Sequence, residues 1–220
     1  MQHTQVRRIM YPDIFHPTGG IPQHLNFEEI RQLIDACLDV PNWKRRNLAE
    51  RNELFLETLW QAGCRVGEIT GGHQKRKGEI IGRYPGLRPC DIDIRRSSLN
   101  IQIEKRQRAI WHWVKVEPQL ITQLVAYHLE NDIPRETRIF AFGKRMAETI
   151  VKAAVIQAGL PSWIHAHTLR HSHAMHLRGQ GVHPFIMQEA LGHATIGSTL
   201  VYSRASDEDS ARAKAQIRWS

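Results

Sequence analysis

The chain carries the segment HAHTLRHSHAMH at residues 165–176 and, after a glycine-containing turn, LGHATIGSTLVYSR at residues 191–204. Positions three apart share one face of a helix, so His167 and Arg170 can reach the same ligand. Histidine can exchange a proton, and arginine is a permanent planar cation whose fork of N–H donors fits a phosphate. The pair therefore indicates chemistry on a phosphate group.

The order and spacing of these residues resemble the signature of the tyrosine recombinase (phage integrase) family. That signature runs His-x-x-Arg, then Leu-Gly-His, then a tyrosine nine residues later, which His193 and Tyr202 match here. A lone His-x-x-Arg is a weak signal, whereas the ordered set is specific. The resemblance covers residues 25–204. It implies a mainly α-helical fold with a small antiparallel sheet (α+β), the fold of that family's catalytic domain.

A second box lies upstream, where AGCRVGEI at residues 62–69 resembles the family's Thr-Gly-x-Arg-x-x-Glu-Leu. Ala62 stands where a threonine is usual. Taken alone, Arg65 and Glu68 would be an ordinary surface ion pair. The resemblance implies instead that Arg65 binds the scissile phosphate and that Glu68 supports it.

From residue 98, apolar and polar residues alternate with a period of two, in the segments 98–104 and 110–116. This pattern predicts two strands joined in a hairpin. A basic hairpin turn is usually just solvated, but the resemblance places the family's catalytic lysine on this turn and implies Lys105. The usual glycine is missing, so Arg106 and Arg108 are alternatives for that role and otherwise candidate DNA contacts.

An insertion separates the arginine box from LRPCDID at residues 87–93, a segment that the family reaches sooner. It covers about residues 70–86 and is rich in glycine and basic residues. The basic residues are Lys75, Arg76, Lys77 and Arg83. Two interpretations stay open, a flexible solvated loop or a DNA-backbone contact added to the shared scaffold.

The charge distribution favours a polyanionic partner. The 220 residues carry a formal net charge of +8, and residues 70–116 hold eleven lysines and arginines against four acidic residues. A concentrated basic patch is typical of DNA binding. The three cysteines form no CxxC motif, and no apolar run approaches eighteen residues. We therefore expect a soluble protein of the reducing cytoplasm, associated with the nucleoid and without a membrane span, signal peptide or disulfides.

Helices are predicted from capping residues and apolar periodicity. Asn26 and Glu29 form a capping box before the first helix. Its apolar stripe is Phe27, Ile30, Leu33, Ile34 and Leu38. Further helices are predicted over residues 44–62, from Pro118 onward, over 144–158, 167–177 and 184–191, and around Tyr202. Leu129 is expected on the buried side of the helix that begins at Pro118, and Met146 on that of the helix over 144–158. Residues 1–24 are expected to form an arm, and residues 205–220 a tail helix.

The resemblance also implies roles for the site residues. The candidate catalytic residues are Arg65, Lys105, His167, Arg170, His193 and Tyr202. The tyrosine would attack the phosphorus and form a 3′-phosphotyrosine bond while the arginines hold the nonbridging oxygens. His167 would be the base or a phosphate donor, His193 a second donor, and Lys105 the acid for the leaving 5′ oxygen. Neither a metal nor another cofactor is implied.

Five histidines between residues 165 and 176 also raise the alternative of a metal cluster. No glutamate follows the first histidine as in His-Glu-x-x-His, and no thiolate lies nearby in the sequence, so zinc is disfavoured. We predict packing, capping or DNA-facing roles for His171, His173 and His176.

The resemblance implies double-stranded DNA recombination sites as substrate and a homotetramer that acts on two paired sites through a Holliday junction. Accessory DNA-bending or directionality factors are possible partners. Most members carry a helical core-binding domain before the catalytic domain, whereas here 24 residues precede it. Because the chain begins with Met1, we expect a short recombinase whose arm and insertion partly replace that domain. The alternatives are a DNA-binding accessory protein without catalysis and a type IB topoisomerase.

Overall fold

The structure, a computed structural model, describes residues 22–43, 48–76, 79–104, 109–193, 195–202 and 215. The predicted arm and tail helix lie almost entirely outside these ranges. The helices of the described part are α1 (Phe27–Leu38), α2 (Leu48–Ala62), α3 (Val66–Thr70), α4 (Pro118–Glu130), α5 (Lys144–Ala158), α6 (Ala166–Gly179), α7 (Pro184–Ala190), α8 (Gly197–Leu200) and a 3-10 turn at Pro89–Asp91. The strands are β1 (Gly72–Arg76), β2 (Glu79–Tyr84), β3 (Ile92–Asp93), β4 (Ser98–Gln102) and β5 (Trp111–Lys115).

Helices form the bulk of the described chain, and the two sheets are small and antiparallel. The predicted fold class is therefore confirmed. None of the described helices combines the length and the apolar composition that a membrane crossing requires.

Helix α1 begins where its capping box predicts. The Asn26 side chain accepts a hydrogen bond from the backbone N–H of Glu29, and the Glu29 carboxylate accepts one from the N–H of Asn26, both at 2.9 Å. The box satisfies donors that have no partner inside the helix. The helix packs against α2 and α5 through Ile30, Leu33 and Ile34, which are fully buried.

The predicted stripes are wrong at the helix ends. Phe27, Leu38, Leu129 and Met146 are each at least 40% exposed. Each lies within the first or last three residues of its helix, where the stripe turns past the edge of the neighbouring helix. The second helix begins at Leu48 in the described residues, and Tyr202 lies in the turn after α8 rather than within a helix.

The hairpin predicted over residues 98–116 is present in the expected register. Leu99 pairs with Val114 and Ile101 with His112, so the apolar side chains of both strands share the buried face. Strand β3 extends this sheet on the other side of β4. The turn at residues 105–108 lies outside the described residues.

The insertion forms a two-stranded antiparallel ribbon, β1 with β2, so its interpretation as a flexible loop is wrong. Gly71 and Gly86 close the base of the ribbon with φ angles of +73° and +79°. A Cβ on Gly71 would lie 2.9 Å from the Pro85 carbonyl oxygen, and one on Gly86 would lie 2.8 Å from that of Ile69. These glycines let the two chain ends meet, so the inserted residues project without separating α3 from β3.

Helix α6 is tied to the start of the fold by one buried hydroxyl. Ser172 Oγ accepts a hydrogen bond from the backbone N–H of Leu25 at 2.8 Å and donates to the carbonyl of Thr168 at 2.9 Å. Ser172 is 1% exposed. Its position beside Arg170 on α6 makes it part of what fixes that helix.

We predict that Ser172→Ala lowers the free energy of unfolding by about 1–3 kcal/mol, because the buried N–H of Leu25 loses its acceptor. Urea denaturation followed by circular dichroism measures this loss. The control is Ser162→Ala at an exposed position, for which we expect a change below about 0.5 kcal/mol. Equal losses in the two variants would contradict the prediction.

Candidate active site

A cleft of about 400 Å³ lies where the N-terminus of α3, the end of β4, helix α6 and the segment after Gly192 meet. Five of the predicted catalytic residues line it, namely Arg65, His167, Arg170, His193 and Tyr202. They come from positions up to 137 residues apart in the chain, so only the tertiary fold can bring them together.

Glu68 lies behind the cleft lining, where it contacts residues of three elements. Its Oε2 accepts the backbone N–H of Arg65 at 2.6 Å, and its Oε1 accepts the Arg65 Nη1–H at 3.0 Å. The same Oε1 accepts the N–H of Glu104 at 2.9 Å, and Arg170 Nη1 lies 3.9 Å from Oε2. Because Glu68 is 3% exposed, its charge acts in a medium where such contacts are strong. One carboxylate therefore holds both predicted phosphate-binding arginines.

Arg170 is the largest fully buried side chain of the described residues, at 1% exposure. Its Nη1 donates to the carbonyl oxygen of Gly63 at 2.8 Å, and its Nη2 donates to that of Leu191 at 2.6 Å. A guanidinium has about five N–H donors in a fixed plane, so others remain for a ligand in the cleft. Gly63 itself has φ +56°, and a Cβ there would lie 2.3 Å from His173 Cδ2. Only glycine therefore brings this carbonyl close to α6.

His193 is oriented by a threonine. Its Nδ1 lies 2.8 Å from Thr199 Oγ1, and the imidazole is 9% exposed. When the Thr199 hydroxyl donates to Nδ1, the neutral His193 ring carries its proton on Nε2, and this Nε2–H group can donate a hydrogen bond to an anion. This geometry suits the donor role that the resemblance implies for His193.

Tyr202 is held inside the cleft rather than on its rim. The side chain is 3% exposed, and its ring is nearly parallel to that of His193, with centroids 6.3 Å apart. Its hydroxyl lies 2.6 Å from Nδ1 of His171, so the hydrogen-bond partner of the phenol is His171 and not His167. Burial raises the pKa of the Tyr202 phenol, while Arg170 and Arg65 partly oppose that rise.

The histidines of the cleft are neutral at pH 7. Burial, followed by the charges of Arg170 and Arg65, lowers the pKa of His193 to about 3. Partial burial lowers the pKa of His167 to about 4, with His171 and Arg170 as further causes. His167 is exposed at the mouth of the cleft. Each imidazole can accept a proton before any substrate binds.

Several predicted residues lie elsewhere or outside the described part. Lys105, Arg106, Arg108 and Lys77 fall outside it, although Lys105 directly follows Glu104, whose side chain lines the cleft. Lys75 and Arg76 lie on β1, and only their backbone is described. Arg83 is on β2 and exposed. None of the described ribbon residues lines the cleft.

The sequence reasoning missed three residues at the site. His171 bonds to the tyrosine, and its spacing of four from His167 on one helix face was a signal that could have found it. Glu104 lines the cleft and pairs with Lys144, the first residue of α5, at 2.5 Å. Nothing in the local sequence around Lys144 indicates that contact.

The other histidines of α6 pack against aromatic side chains. The ring of His173 meets that of Trp60 edge-on at 5.9 Å, and the ring of His176 contacts both Trp60 and Phe27. Among the described residues, no group of three or more histidine, cysteine or acidic side chains is arranged to hold a metal ion.

Comparison with known proteins identifies similar chains over most of this length. The sequence profile described as the phage integrase family matches residues 23–209. The tyrosine recombinase XerD of Bifidobacterium longum is 29% identical over 209 residues, covering 87% of this chain and 62% of its own. XerC of Pelotomaculum thermopropionicum is 29% identical over 192 residues, covering 86% of this chain and 59% of its own. This chain thus spans about three fifths of these relatives.

Solved structures share the fold. The crystal structure of XerA recombinase matches with a TM-score of 0.65 and 20% identity, covering 90% of this chain and 67% of XerA. The XerH site-specific recombinase bound to its difH substrate in a pre-cleavage complex matches with a TM-score of 0.65 and 23% identity, covering 87% of this chain and 53% of XerH.

We predict that Glu68→Gln lowers the free energy of unfolding by about 3–5 kcal/mol, because two buried or partly buried guanidinium groups lose their shared counter-charge. Urea denaturation measures the loss. The matched control is Glu136→Gln, which neutralises a carboxylate that pairs with Arg88 but is 72% exposed. There we expect less than about 1 kcal/mol. A Glu68→Gln protein as stable as the control would show that this carboxylate does not hold the site.

Proposed function

Because this chain belongs to the phage integrase family, we propose that it is a tyrosine-type site-specific recombinase that cuts and rejoins DNA strands. The strand would be held during exchange by a 3′-phosphotyrosine bond to Tyr202. The proposed outcome is integration, excision, inversion or resolution of a mobile element or plasmid, carried out in the cytoplasm by four copies on two paired sites.

The observation that carries the proposal is the convergence of two arginines on one buried carboxylate, with the hydroxyl of a tyrosine in the same cleft. Arg65 and Arg170 both contact Glu68, and the charges of both arginines act on the phenol of Tyr202. A phosphodiester has two nonbridging oxygens, and two planar guanidinium groups are suited to hold them. The cleft therefore has the parts that an in-line attack on phosphorus requires.

The proposed cleavage proceeds in one displacement. The Tyr202 oxygen attacks phosphorus, the Tyr–O–P bond forms and the P–O5′ bond breaks. Charge that develops on the phosphoryl oxygens is stabilised by the arginines and by a donor from His193, and each such donor typically contributes about 10²–10³ in rate. The new ester conserves the energy of the broken bond, so rejoining is the same step in reverse.

The acid that protonates the departing 5′ oxygen is proposed to be Lys105. That residue lies outside the described part, and the support for it is the position of its neighbour Glu104 in the cleft wall. Glu104 also pairs with Lys144, whose ammonium group is thus held next to a residue of the cleft wall.

DNA binding is proposed to extend from the cleft to the β1–β2 ribbon, with Lys75, Arg76, Lys77 and Arg83 as backbone contacts. Support comes from the shape and the charge of the insertion, a projecting antiparallel ribbon rich in lysine and arginine. Contacts of this kind position a protein on the duplex without reading its sequence.

The alternative from another functional class is a DNA-binding accessory protein that keeps the fold but lacks catalysis. The buried, hydrogen-bonded phenol beside two arginines favours the enzyme, because a protein that only binds DNA needs no nucleophile in that position. A type IB topoisomerase would use the same chemistry but would relax supercoiled plasmid without a particular site.

We predict that the protein forms a covalent adduct with DNA and that Tyr202→Phe abolishes it. The probe is a library of duplexes with random central sequences, from which adducts are trapped under denaturing conditions, separated and sequenced. The matched control is Tyr127→Phe, at a second buried tyrosine away from the cleft, which should retain the adduct. Binding without any adduct in the wild type would favour the accessory protein, and adducts without sequence preference would favour the topoisomerase.

We predict that Arg83→Gln weakens DNA binding and lowers the slope of log affinity against log salt concentration by about one, because one phosphate contact is lost. Fluorescence anisotropy with a random-sequence duplex at several salt concentrations gives both values. Lys152→Gln removes an exposed cation from α5, and we expect it to leave the slope unchanged. If Arg83→Gln leaves the slope unchanged, Arg83 does not contact a DNA phosphate and the prediction is wrong.

A further inference from the structure

The hydroxyl of the proposed nucleophile has a specific partner that the family signature does not assign. His171 Nδ1 lies 2.6 Å from the oxygen of Tyr202, an ordinary hydrogen-bond length, and the phenol is the donor when the neutral ring carries its proton on Nε2. His171 follows Arg170 directly and lies four residues after His167 on the same face of α6. The hydrogen bond therefore connects the phosphate-binding helix to the segment that carries the tyrosine.

We propose that His171 is the base that accepts the phenolic proton of Tyr202 when the tyrosine attacks phosphorus. This inference rests on the proposed recombinase function and deepens it by assigning one proton. His167, for which the resemblance implies the role of base or phosphate donor, then serves the phosphate.

A base is needed because the phenol does not ionise readily in this cleft. The pKa of Tyr202 is raised by burial, and an ordinary phenol already has a pKa near about 10. At neutral pH the nucleophile is therefore protonated and weak unless a neighbouring group removes its proton during attack.

His171 is neutral, so one of its ring nitrogens has a lone pair that can accept a proton. Partial burial is the main cause that lowers its pKa to about 4, and the charges of His165, Arg170 and His24 act in the same direction. The edge of the His171 ring also meets His167, with ring centroids 4.5 Å apart. His193 also interacts electrostatically with His171. A phosphodiester between the arginines would offset their charge and make His171 a stronger base as the substrate enters.

The other two histidines of the cleft are less well placed for this proton. Nδ1 of His193 is occupied by Thr199 Oγ1 at 2.8 Å, and its ring lies parallel to the phenol rather than at its hydroxyl. His167 lies at the exposed mouth of the cleft and contacts His171 itself. We therefore assign hydrogen bonding to the phosphate to His167 and His193, and deprotonation of the nucleophile to His171.

The step balances without another reactant. As the Tyr–O–P bond forms, the phenolic proton moves to Nδ1 of His171, and the electron pair of the breaking P–O5′ bond leaves on the 5′ oxygen. That oxygen takes a proton from the acid on the other side. In rejoining, the 5′ hydroxyl attacks phosphorus and returns its proton to the acid, Lys105, while the Tyr–O–P bond breaks and the imidazolium of His171 returns its proton to the tyrosine.

The test uses His171→Asn, because the asparagine Oδ1 can occupy the position of Nδ1 and accept the hydrogen bond but cannot take the proton. The probe is a synthetic duplex whose sequence is taken from the adducts recovered in the covalent capture experiment. It is nicked beside the cleavage point, so that the short released fragment diffuses away and cleavage cannot be reversed. We expect the single-turnover rate of adduct formation at pH 7 to fall by about 10²–10⁴. The wild-type rate should vary little between pH 6 and 8, whereas the variant rate should rise as the phenol ionises.

A second measurement separates proton transfer from positioning. In the His171→Asn protein, Tyr202 is replaced by 3-fluorotyrosine, whose phenol ionises more readily and depends less on a base. We expect this replacement to restore a large part of the lost rate. The matched control His176→Asn, at a histidine of the same helix that packs on Trp60, should cleave at the wild-type rate with the wild-type pH profile.

The outcomes distinguish this inference from the function on which it rests. If the wild type forms adducts and His171→Asn forms them equally fast, the inference is overturned and the recombinase remains. If the variant is slow but keeps the wild-type pH profile and gains nothing from 3-fluorotyrosine, His171 only positions the tyrosine and the inference is again overturned. If the wild type forms no adduct with any duplex, the proposed function and the inference fall together.

Discussion

The buried carboxylate of Glu68 is the constraint on which the site depends. Two guanidinium groups in one cleft repel each other, and without an anion between them burial of Arg170 would be costly. Glu68 supplies that anion and also accepts the backbone N–H groups of Arg65 and Glu104. It thereby ties the start of α3 to the end of β4 and places its charge 3.9 Å from Arg170 of α6. The arginine geometry is determined before any substrate arrives.

This arrangement also determines the protonation of the surrounding imidazoles. Burial and the fixed positive charges lower the pKa of His167, His171 and His193 well below the usual value near about 6.5. Positive charge in the described cleft wall therefore resides on the arginines, while the histidines keep one donor and one acceptor each. Neutral imidazoles can both donate to an anion and accept a proton, which imidazolium ions cannot.

The β1–β2 ribbon illustrates how a chain can add surface to such a site without disturbing it. The ribbon leaves the scaffold directly after α3 and returns before β3, and its ends meet at Gly71 and Gly86. Because the base is narrow, Ile69 and Leu87 remain adjacent and their backbones hydrogen-bond at 2.9 Å. The elements on either side, one of which carries Glu68, keep their packing.

The amino-acid sequence by itself determined the family, the fold class and which residue types belong to the site. Those properties depend on local order and spacing, as in the interval from His193 to Tyr202 and the capping box at Asn26. The tertiary structure alone decided that the Tyr202 hydroxyl bonds to His171, that Lys144 pairs with Glu104 of the cleft wall, and that the insertion is a ribbon. It also decided that Phe27 and Met146 are exposed although they continue an apolar stripe. Apart from the ribbon, whose two strands are close in the sequence, each of these outcomes depends on distances between segments far apart in the chain. A periodic pattern contains no information about which segments meet.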